Sequence, residues 1–299
     1  MKIIVTGSLG HISKPLTEQL LQNGHTVTVI TSNPDKQQEI EVIGATAAIG
    51  SLNNPDFLTA TFTGADAVYT MVPPADYFDQ ELDLPAHYHT IGHNYATAIA
   101  ASGVKQVVNL STIGAHLEQG SGILIGAHDV EQILNKLPAE INIVHMRPTS
   151  FYYNLLPYIY AIKANGVIAQ NYGAESIIPW VSPTDIAQAI FEELEAARPG
   201  RNVRYVASEE LSGNETAKTL GAAIGLPDLK WVLVSSDEVL NGLIAVGMNE
   251  RIAAGLVEMY GSLYNGLLAE DYNRNKPAVM GKVKLADFAK EFATVYYQK

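Results

Sequence analysis

The residues with the clearest chemical potential stand near the start of the sequence, in the segment 6–13, which reads TGSLGHIS. The apolar run 3–6 before this segment predicts a strand, and the leucines after it predict a helix. Gly7 permits a tight turn between the two, and Gly10 lets the backbone approach a phosphate closely. Since the first N–H groups of the helix would point at that phosphate, this order predicts the pyrophosphate-binding loop of a dinucleotide site. A plain structural turn is the alternative.

A second group of polar residues follows the predicted strand 26–31. An acidic residue at this place usually binds the ribose hydroxyls of NAD and would repel a 2′-phosphate, but none follows the strand directly. Thr31, Ser32 and Asn33 could donate hydrogen bonds to such a phosphate. Lys36 would add a positive charge. The segment therefore favours NADP(H), with NAD(H) possible, and its alternative is a plain Asn-Pro turn with a solvated lysine.

Two further side chains could take part in catalysis. Ser111 follows the predicted strand 106–110, at the sheet edge where ligands bind in open α/β folds. No G-x-S-x-G motif surrounds it, which argues against a serine hydrolase. His128 lies one helical turn from Glu131 at the start of a predicted helix and could donate a proton or hold a ribose hydroxyl. A surface His-Glu pair is the alternative.

Aromatic side chains stand where a flat substrate could bind. Tyr152 and Tyr153 belong to an aromatic-rich stretch in the middle of the chain, and Tyr77 and Phe78 follow a Pro-Pro pair. Either pair could stack on a substrate or line its cleft, although packing in a core would use the same residue types.

The elements that must position these residues alternate in character along the first half of the chain. Short runs rich in β-branched residues are separated by segments of helical length, at residues 3–6, 26–31, 45–49, 67–71, 106–110 and 141–146. Strands that alternate with helices predict βαβ units, a parallel sheet covered on both faces and hence an α/β, Rossmann-type doubly wound fold. In the second half we expect a helix capped by Ser182, a strand at 203–207 and a helix at 212–224.

Composition excludes several classes of protein. The chain has 299 residues, a net charge of -12 and no cysteine, so direct nucleic-acid binding, disulfides and thiolate metal sites are not expected. His87, His89 and His93 lie around a helix rather than on one face, and we expect no metal site there. The sequence shows neither a signal peptide nor an apolar run long enough for a membrane span, which suggests a cytoplasmic protein.

Several short motifs, taken in order, resemble the NmrA-like family of atypical short-chain dehydrogenases/reductases. The motifs are TGSLGHIS at 6–13, GADAV at 64–68, MVPP at 71–74, VNLSTIG at 108–114, HDVE at 128–131, MRPTSF at 146–151 and VSPTDIA at 181–187. A further resemblance, to the small domain of the family, lies in residues 220–225 and 234–238. The resemblance covers nearly the whole chain.

The resemblance implies a Rossmann domain at 1–152 and about 181–206, a smaller discontinuous α/β substrate-facing domain at about 153–180 and 207–284, and a C-terminal helix at 285–299 that packs back. It also implies which residues contact the cofactor. These are Gly7, Leu9, Gly10, His11, Ile12, Thr31, Ser32, Met71, Val72, Pro73 and Ser111, with residues from Pro148 to Phe151 closing over the nicotinamide. The family includes NAD(P)H-dependent quinone, azo-dye and phenylpropanoid reductases and cofactor-binding redox sensors.

The sequence departs from the wider superfamily at the residues that usually protonate a carbonyl oxygen. Ile123 and Ala127 stand where a Tyr-x-x-x-Lys pair is expected, and neither side chain can donate a proton. This favours a quinone or a similar small flat acceptor over a ketone as substrate. A non-catalytic NADP(H) sensor that acts through a regulatory protein partner is the alternative, and a sugar-nucleotide epimerase is a third hypothesis. A homodimer is possible.

Overall fold

A central parallel sheet organises the structure, a computed structural model that describes residues 1–298. The strands are β1 Lys2–Val5, β2 Thr26–Thr31, β3 Thr46–Ile49, β4 Ala67–Thr70, β5 Gln106–Leu110, β6 Asn142–Pro148, β7 Ser150–Phe151, β8 Val167–Gln170, β9 Ile177–Val181, β10 Arg201–Val206, β11 Glu209–Ser212 and β12 Lys230–Leu233. Seven of them form one sheet in the order β10-β6-β5-β4-β1-β2-β3, with every neighbouring pair parallel. The predicted Rossmann-type doubly wound fold is confirmed.

Helices cover both faces of this sheet. The helices of the whole structure, both on this sheet and beside it, are α1 Ser13–Gln22, α2 Gln37–Val42, α3 Pro55–Phe62, α4 Leu84–Ser102, α5 Ile125–Asn135, α6 Tyr158–Asn165, α7 Pro183–Ala196, α8 Gly213–Ala223, α9 Ser236–Ala245, α10 Glu250–Tyr264, α11 Glu270–Arg274 and α12 Leu285–Tyr297. Ile3 and Val5 of β1 join a core with α1 and α7, whereas Ile4 joins a separate core with α3, α4 and α5. Since alternate side chains of β1 enter opposite cores, three successive residues of this strand are apolar.

A second unit lies beside the sheet and has its own core. It contains the three-stranded sheet β11-β9-β7 and the two-stranded sheet β12-β8. Its core gathers side chains from α6, α8 and α12, together with Trp180 and Trp231, which are 1% and 3% exposed. The C-terminal helix α12 packs on α8 and so belongs to this second core; Lys299, the last residue of the predicted 285–299 segment, lies outside the described residues.

The two units are connected by a carboxylate near the start of α7. Asp185 accepts hydrogen bonds from the Ser208 hydroxyl at 2.6 Å and from the backbone N–H groups of Lys282 and Val283 at 3.0 and 3.1 Å. A side chain at Gly281 would place its Cβ 2.2 Å from the same carboxylate, so only glycine fits there. Asp185 therefore fixes the path of the chain into α12.

The observed boundaries agree closely with the sequence-based ones. The strands predicted at 26–31 and 106–110 are observed with those bounds, and the others differ by one or two residues at one or both ends. Ser182 caps α7 by accepting from the Thr184 N–H at 3.2 Å, as predicted. Within residues 1–298 no helix is both long enough and apolar enough for a membrane span, and no three metal-ligating side chains of that part gather into a possible ion site.

Candidate functional site

The turn after β1 has a conformation that depends on glycine. Gly7 has a φ of +87° and Ser8 a φ of +55°, so two successive residues adopt the left-handed region. A Cβ on Gly7 would stand 2.7 Å from Ser13 Oγ and 3.0 Å from Met71 Sδ. The Gly10 N–H donates to the Gly7 carbonyl at 3.2 Å and closes the turn. The chain therefore passes from strand to helix through a tight turn.

Ser13 replaces the third glycine of the usual motif and has a clear structural role. Its side chain is buried, and its hydroxyl donates to the Thr6 carbonyl at 2.8 Å, which ties the first turn of α1 to the end of β1. No side chain caps α1 at Ile12. The first turn of α1 thus has backbone N–H groups without a side-chain cap at the end of β1, and this arrangement fits a pyrophosphate.

Most of the polar side chains after β2 form hydrogen bonds or an ion pair within their own turn, and one has no such partner. Thr31 is buried, and its hydroxyl accepts from Ser8 Oγ at 3.1 Å and from the Asn33 N–H at 3.2 Å. Asn33 Oδ1 accepts from the Asp35 N–H at 2.9 Å, and Lys36 Nζ lies 2.7 Å from a glutamate of its own turn. Ser32 is exposed, and its hydroxyl has no hydrogen bond within residues 1–298.

The segment after β4 is held against the glycine turn. The Met71 N–H donates to Thr6 Oγ1 at 3.0 Å, and the Tyr95 hydroxyl donates to the Met71 carbonyl at 2.7 Å. His87 Nε2 lies 3.3 Å from the Pro73 carbonyl oxygen. Met71, Val72 and Pro73 therefore follow the carboxyl end of β4 beside the predicted pyrophosphate site.

Ser111, a candidate catalytic residue, belongs to a buried polar network. Its hydroxyl donates to Glu131 Oε1 at 2.5 Å. The same carboxylate accepts from Arg147 Nε at 2.9 Å and from Arg147 Nη2 at 2.6 Å, a two-bond pair in which both residues are buried. Glu131 therefore does not form the surface pair with His128 that the sequence allowed.

The network continues to the C-terminal part of the chain. Arg147 Nη1 donates to Asp271 Oδ2 at 3.1 Å and to the Tyr205 hydroxyl at 3.2 Å, and that hydroxyl donates to Asp271 at 2.6 Å. Burial lowers the pKa of Arg147, but the hydrogen bonds and the charge of Glu131 outweigh it and leave the pKa above its ordinary value. Sequence reasoning missed this network, because its members lie on elements that are far apart in the chain.

His128, the other candidate catalytic residue, is half-buried near the start of α5. Its Nδ1 lies 2.9 Å from the Ala115 carbonyl oxygen, which leaves Nε2 as the ring nitrogen that could face a ligand. Ile123 stands in the turn before α5, with its Cγ2 3.0 Å from the place a Cβ on Gly255 would occupy. No side chain that could donate a proton stands at Ile123 or Ala127.

Aromatic rings form a stack beside the glycine turn. Tyr153 stacks on His11 with ring centroids 5.0 Å apart and an interplanar angle of 23°. The ring centroid of Phe151 lies 5.0 Å from that of Tyr153. Burial raises the pKa of Tyr153, and the nearby Tyr77 adds to this rise. The predicted position of Tyr153 in the cleft is thus compatible with the structure.

The predicted substrate contact of Tyr152 is wrong. Tyr152 is 1% exposed and stacks on Phe288 of α12, with centroids 5.6 Å apart. Its hydroxyl donates to Glu209 at 2.6 Å. Successive side chains at the start of the turn after β7 point to opposite sides, so Tyr152 enters the second core while its neighbour Tyr153 faces the glycine turn.

The loop after β4 is bound to the second unit. The Asn249 N–H donates to the Tyr77 carbonyl at 2.9 Å, and Asn249 Nδ2 donates to the carbonyls of Asp79 and Gln80 at 3.0 and 3.1 Å. Tyr77 packs into the apolar cluster of α4 and α10. Phe78 is 52% exposed. Tyr77 therefore lies between the two units, whereas Phe78 lies at the surface of the loop.

Comparisons with known proteins agree with this geometry. Residues 7–152 match the family model described as NAD(P)H-binding. An NAD(P)H azoreductase from Xenophilus azovorans is 27% identical over 299 residues, with 98% of this chain and 99% of that protein covered.

Two solved structures share the fold over nearly the whole chain. An NADPH-dependent quinone oxidoreductase from Escherichia coli, complexed with NADPH, has a TM-score of 0.80 at 19% identity and covers 97% of this chain and 99% of its own. A triphenylmethane reductase from Citrobacter sp. has a TM-score of 0.79 at 18% identity and covers 98% of this chain and 100% of its own. The chain thus has the Rossmann fold of NAD(P)-binding proteins, and these matches support its resemblance to the NmrA-like atypical short-chain dehydrogenases/reductases.

Proposed function

We propose that the protein is an NADP(H)-dependent oxidoreductase that reduces a small flat acceptor such as a quinone. The observation that carries this proposal is the stack of Tyr153 on His11, which places a flat aromatic surface directly on the glycine turn. A planar acceptor would bind there by the same ring-on-ring contact. The names of the relatives, an azoreductase and a quinone oxidoreductase, agree with an acceptor of this shape.

The cofactor-binding residues have separate roles in the proposal. Gly7, Gly10 and the uncapped end of α1 would hold the pyrophosphate. Ser32 would donate its free hydroxyl to the 2′-phosphate, and Lys36 would leave its exposed partner to add charge. When bound, the reduced nicotinamide supplies the hydride. Residues from Pro148 to Phe151 would cover that ring and exclude water.

The acceptor must be one that needs little help from an acid. Ile123 and Ala127 cannot donate a proton, and the Ser111 hydroxyl already donates to Glu131. A ketone becomes a strongly basic alkoxide on reduction, whereas a quinone becomes a phenolate-like anion of much lower basicity. The dependence on a matched general acid is therefore smaller for the quinone, and His128 or water would suffice.

One assay set tests this proposal. NADPH oxidation is followed at saturating NADPH with a quinone series, an azo dye, a ketone series and no acceptor, with Gly10→Val as the cofactor-binding control. We expect turnover with quinones or the dye and little with ketones, and no turnover by the control. Fast ketone reduction would contradict the mechanism.

A non-catalytic NADP(H) sensor is the second candidate. It is favoured by the Ser111 hydroxyl, which already donates to Glu131, and by Ile123 and Ala127, whose side chains cannot donate a proton. Tight NADPH binding by calorimetry, without oxidation of NADPH by any acceptor, would support the sensor. A regulatory protein would then bind the NADPH-bound and the empty forms differently.

A further inference from the structure

A groove with a volume of about 630 Å³ lies between the start of α4, the start of α5 and the first turns of α10. Its walls are largely apolar, and this volume is within the usual range for small-molecule sites. The lining includes Leu84, Tyr88, Ile123, Ile252 and Gly255. It is separate from the glycine turn, and nothing in the cofactor-binding residues requires it.

Two glycines let side chains pack closely on the backbone in the groove walls. A Cβ on Gly126 would stand 2.4 Å from Tyr88 Cγ, and a Cβ on Gly255 would stand 3.0 Å from Ile123 Cγ2. The first distance is too short for a real side chain, and the second is tighter than most real contacts. The ring of Tyr88 and the side chain of Ile123 therefore pack directly against backbone.

The groove connects with the candidate site through aromatic side chains. Tyr77 packs in the same apolar cluster as Leu84, Tyr88 and Ile123. Burial raises the pKa of Tyr88, and both Tyr77 and Tyr153 are near enough to add to this rise. Tyr77 thus joins the loop after β4 to the groove lining, and an acceptor longer than one ring would extend toward the groove.

One free positive charge stands in the groove. Arg251, in the first turn of α10, is the single arginine of six whose guanidinium has no hydrogen bond or ion pair within residues 1–298. Of the acidic residues in the lining, Asp83 already accepts from the Ala86 N–H at 3.0 Å, and Glu258 lies two helical turns further along α10. In a chain of net charge -12, an unpaired arginine at an apolar groove indicates a site for an anion.

We propose that the groove binds the end of the acceptor remote from the glycine turn, and that the preferred acceptors are flat aromatic compounds with a carboxylate or sulfonate group that pairs with Arg251. This proposal rests on the proposed function and names the class of its substrate. The apolar walls would bind the ring system, and Arg251 would select the acidic group.

A matched pair of acceptors tests the selection. KM is measured at saturating NADPH for anthraquinone monosulfonate and for the neutral hydroxymethylanthraquinone, with wild type, Arg251→Met and Glu258→Gln. We expect Arg251→Met to raise KM for the sulfonate about fivefold, the range of an exposed ion pair, with little change for the neutral compound. Glu258→Gln should lower KM for the sulfonate. Arg274→Met, at an exposed arginine of α11, is the matched control and should change neither.

Salt and direct binding complete the test. The effect of Arg251→Met should shrink as ionic strength rises, since exposed charges are screened. Equilibrium dialysis with anthraquinone monosulfonate in the presence of NADP⁺ measures binding without turnover. Ala254→Trp, at an exposed position of the groove, should weaken binding of both compounds.

The outcomes separate this proposal from the proposed function. Equal KM changes for the charged and neutral compounds, or no change with Arg251→Met, would overturn the role of Arg251. Unchanged binding by Ala254→Trp would overturn the groove itself. Turnover of neutral quinones in either case would leave the proposed function standing. If no acceptor is reduced but the sulfonate binds with the expected dependence on Arg251, the proposed function is wrong and the groove is still a binding site for acidic aromatic compounds.

Discussion

Removal of one partner from the buried Glu131–Arg147 pair should destabilise the protein more than removal of both. The carboxylate has two hydrogen bonds from Arg147 and one from Ser111, and the side chains are only 3% and 9% exposed. A buried ion pair that loses one partner typically costs about 3–5 kcal/mol, whereas its replacement by apolar side chains is often nearly neutral. The pair is therefore a sharp test of the described packing.

The structure ranks the two single variants. In Glu131→Leu, Arg147 keeps Asp271 at 3.1 Å, so we expect a loss near the lower limit, about 3 kcal/mol. In Arg147→Met, Glu131 keeps only the Ser111 hydroxyl. A buried carboxylate with a single neutral hydrogen-bond partner is the less compensated charge, so we expect a loss near the upper limit, about 5 kcal/mol. Arg147→Met should be the less stable variant.

Urea unfolding at pH 7 measures these differences through the fluorescence of Trp180 and Trp231, both buried in the second core. The double variant Glu131→Leu, Arg147→Met should be more stable than Arg147→Met alone. The exposed pair of Glu270 and Arg274 is the matched control, and its double replacement should change the free energy of unfolding by less than about 1 kcal/mol. Additive losses in the double variant, or single losses no larger than those of the control, would refute the reasoning.

The remaining predictions concern the cofactor site and acid stability. Gly10→Val should abolish NADPH binding by calorimetry with the fold retained by circular dichroism, because even a Cβ there stands 3.2 Å from the Gly7 carbonyl; unchanged affinity would remove the turn from the site. Ser32→Asp should reverse a preference for NADPH over NADH, and a wild-type preference for NADH would contradict it. His128→Ala should lower quinone turnover only modestly, and a loss beyond about 100-fold would make it the general acid. Burial lowers the pKa of His145 to about 4, below the ordinary value of about 6.5, so stability should fall as the pH drops from about 6.5 to 4, by at most about 3.4 kcal/mol. His145→Gln should flatten this part of the profile in urea unfolding, and an unchanged slope would argue against a neutral buried histidine.

The parallel sheet could be predicted from sequence because its signal is local. Its first five strands are short runs that are each followed by a helix, and Asn54 and Asp83 cap two of these helices, α3 and α4. The glycine turn was likewise visible, since Gly7 and Gly10 stand between a strand and a helix. Such features depend only on residues that are close together in the chain, so the order of apolar and polar residues is enough to predict them.

The buried network and the groove could not be predicted, because they depend on residues far apart in the chain. Glu131 and His128 share a helix, and spacing alone favoured a pair between them, but Arg147 on the next strand takes the carboxylate. Tyr152 and Tyr153 are adjacent and of one type, so only the packing of α12 decides which of them enters the second core. Sequence patterns contain no information on such contacts.

The path of the chain between the two units has a consequence for synthesis. The chain leaves the central sheet after β6 and returns to its edge only with β10, and α12, the last helix, closes the second core. The second unit therefore cannot be finished before α12 is made, and the apolar faces around Trp180 stay uncovered until that helix emerges from the ribosome. Asp185, made about a hundred residues earlier, must wait for the backbone of Lys282 and Val283. Folding of the second unit is thus a late event in synthesis, and until α12 is made its uncovered apolar surface exposes the nascent chain to aggregation.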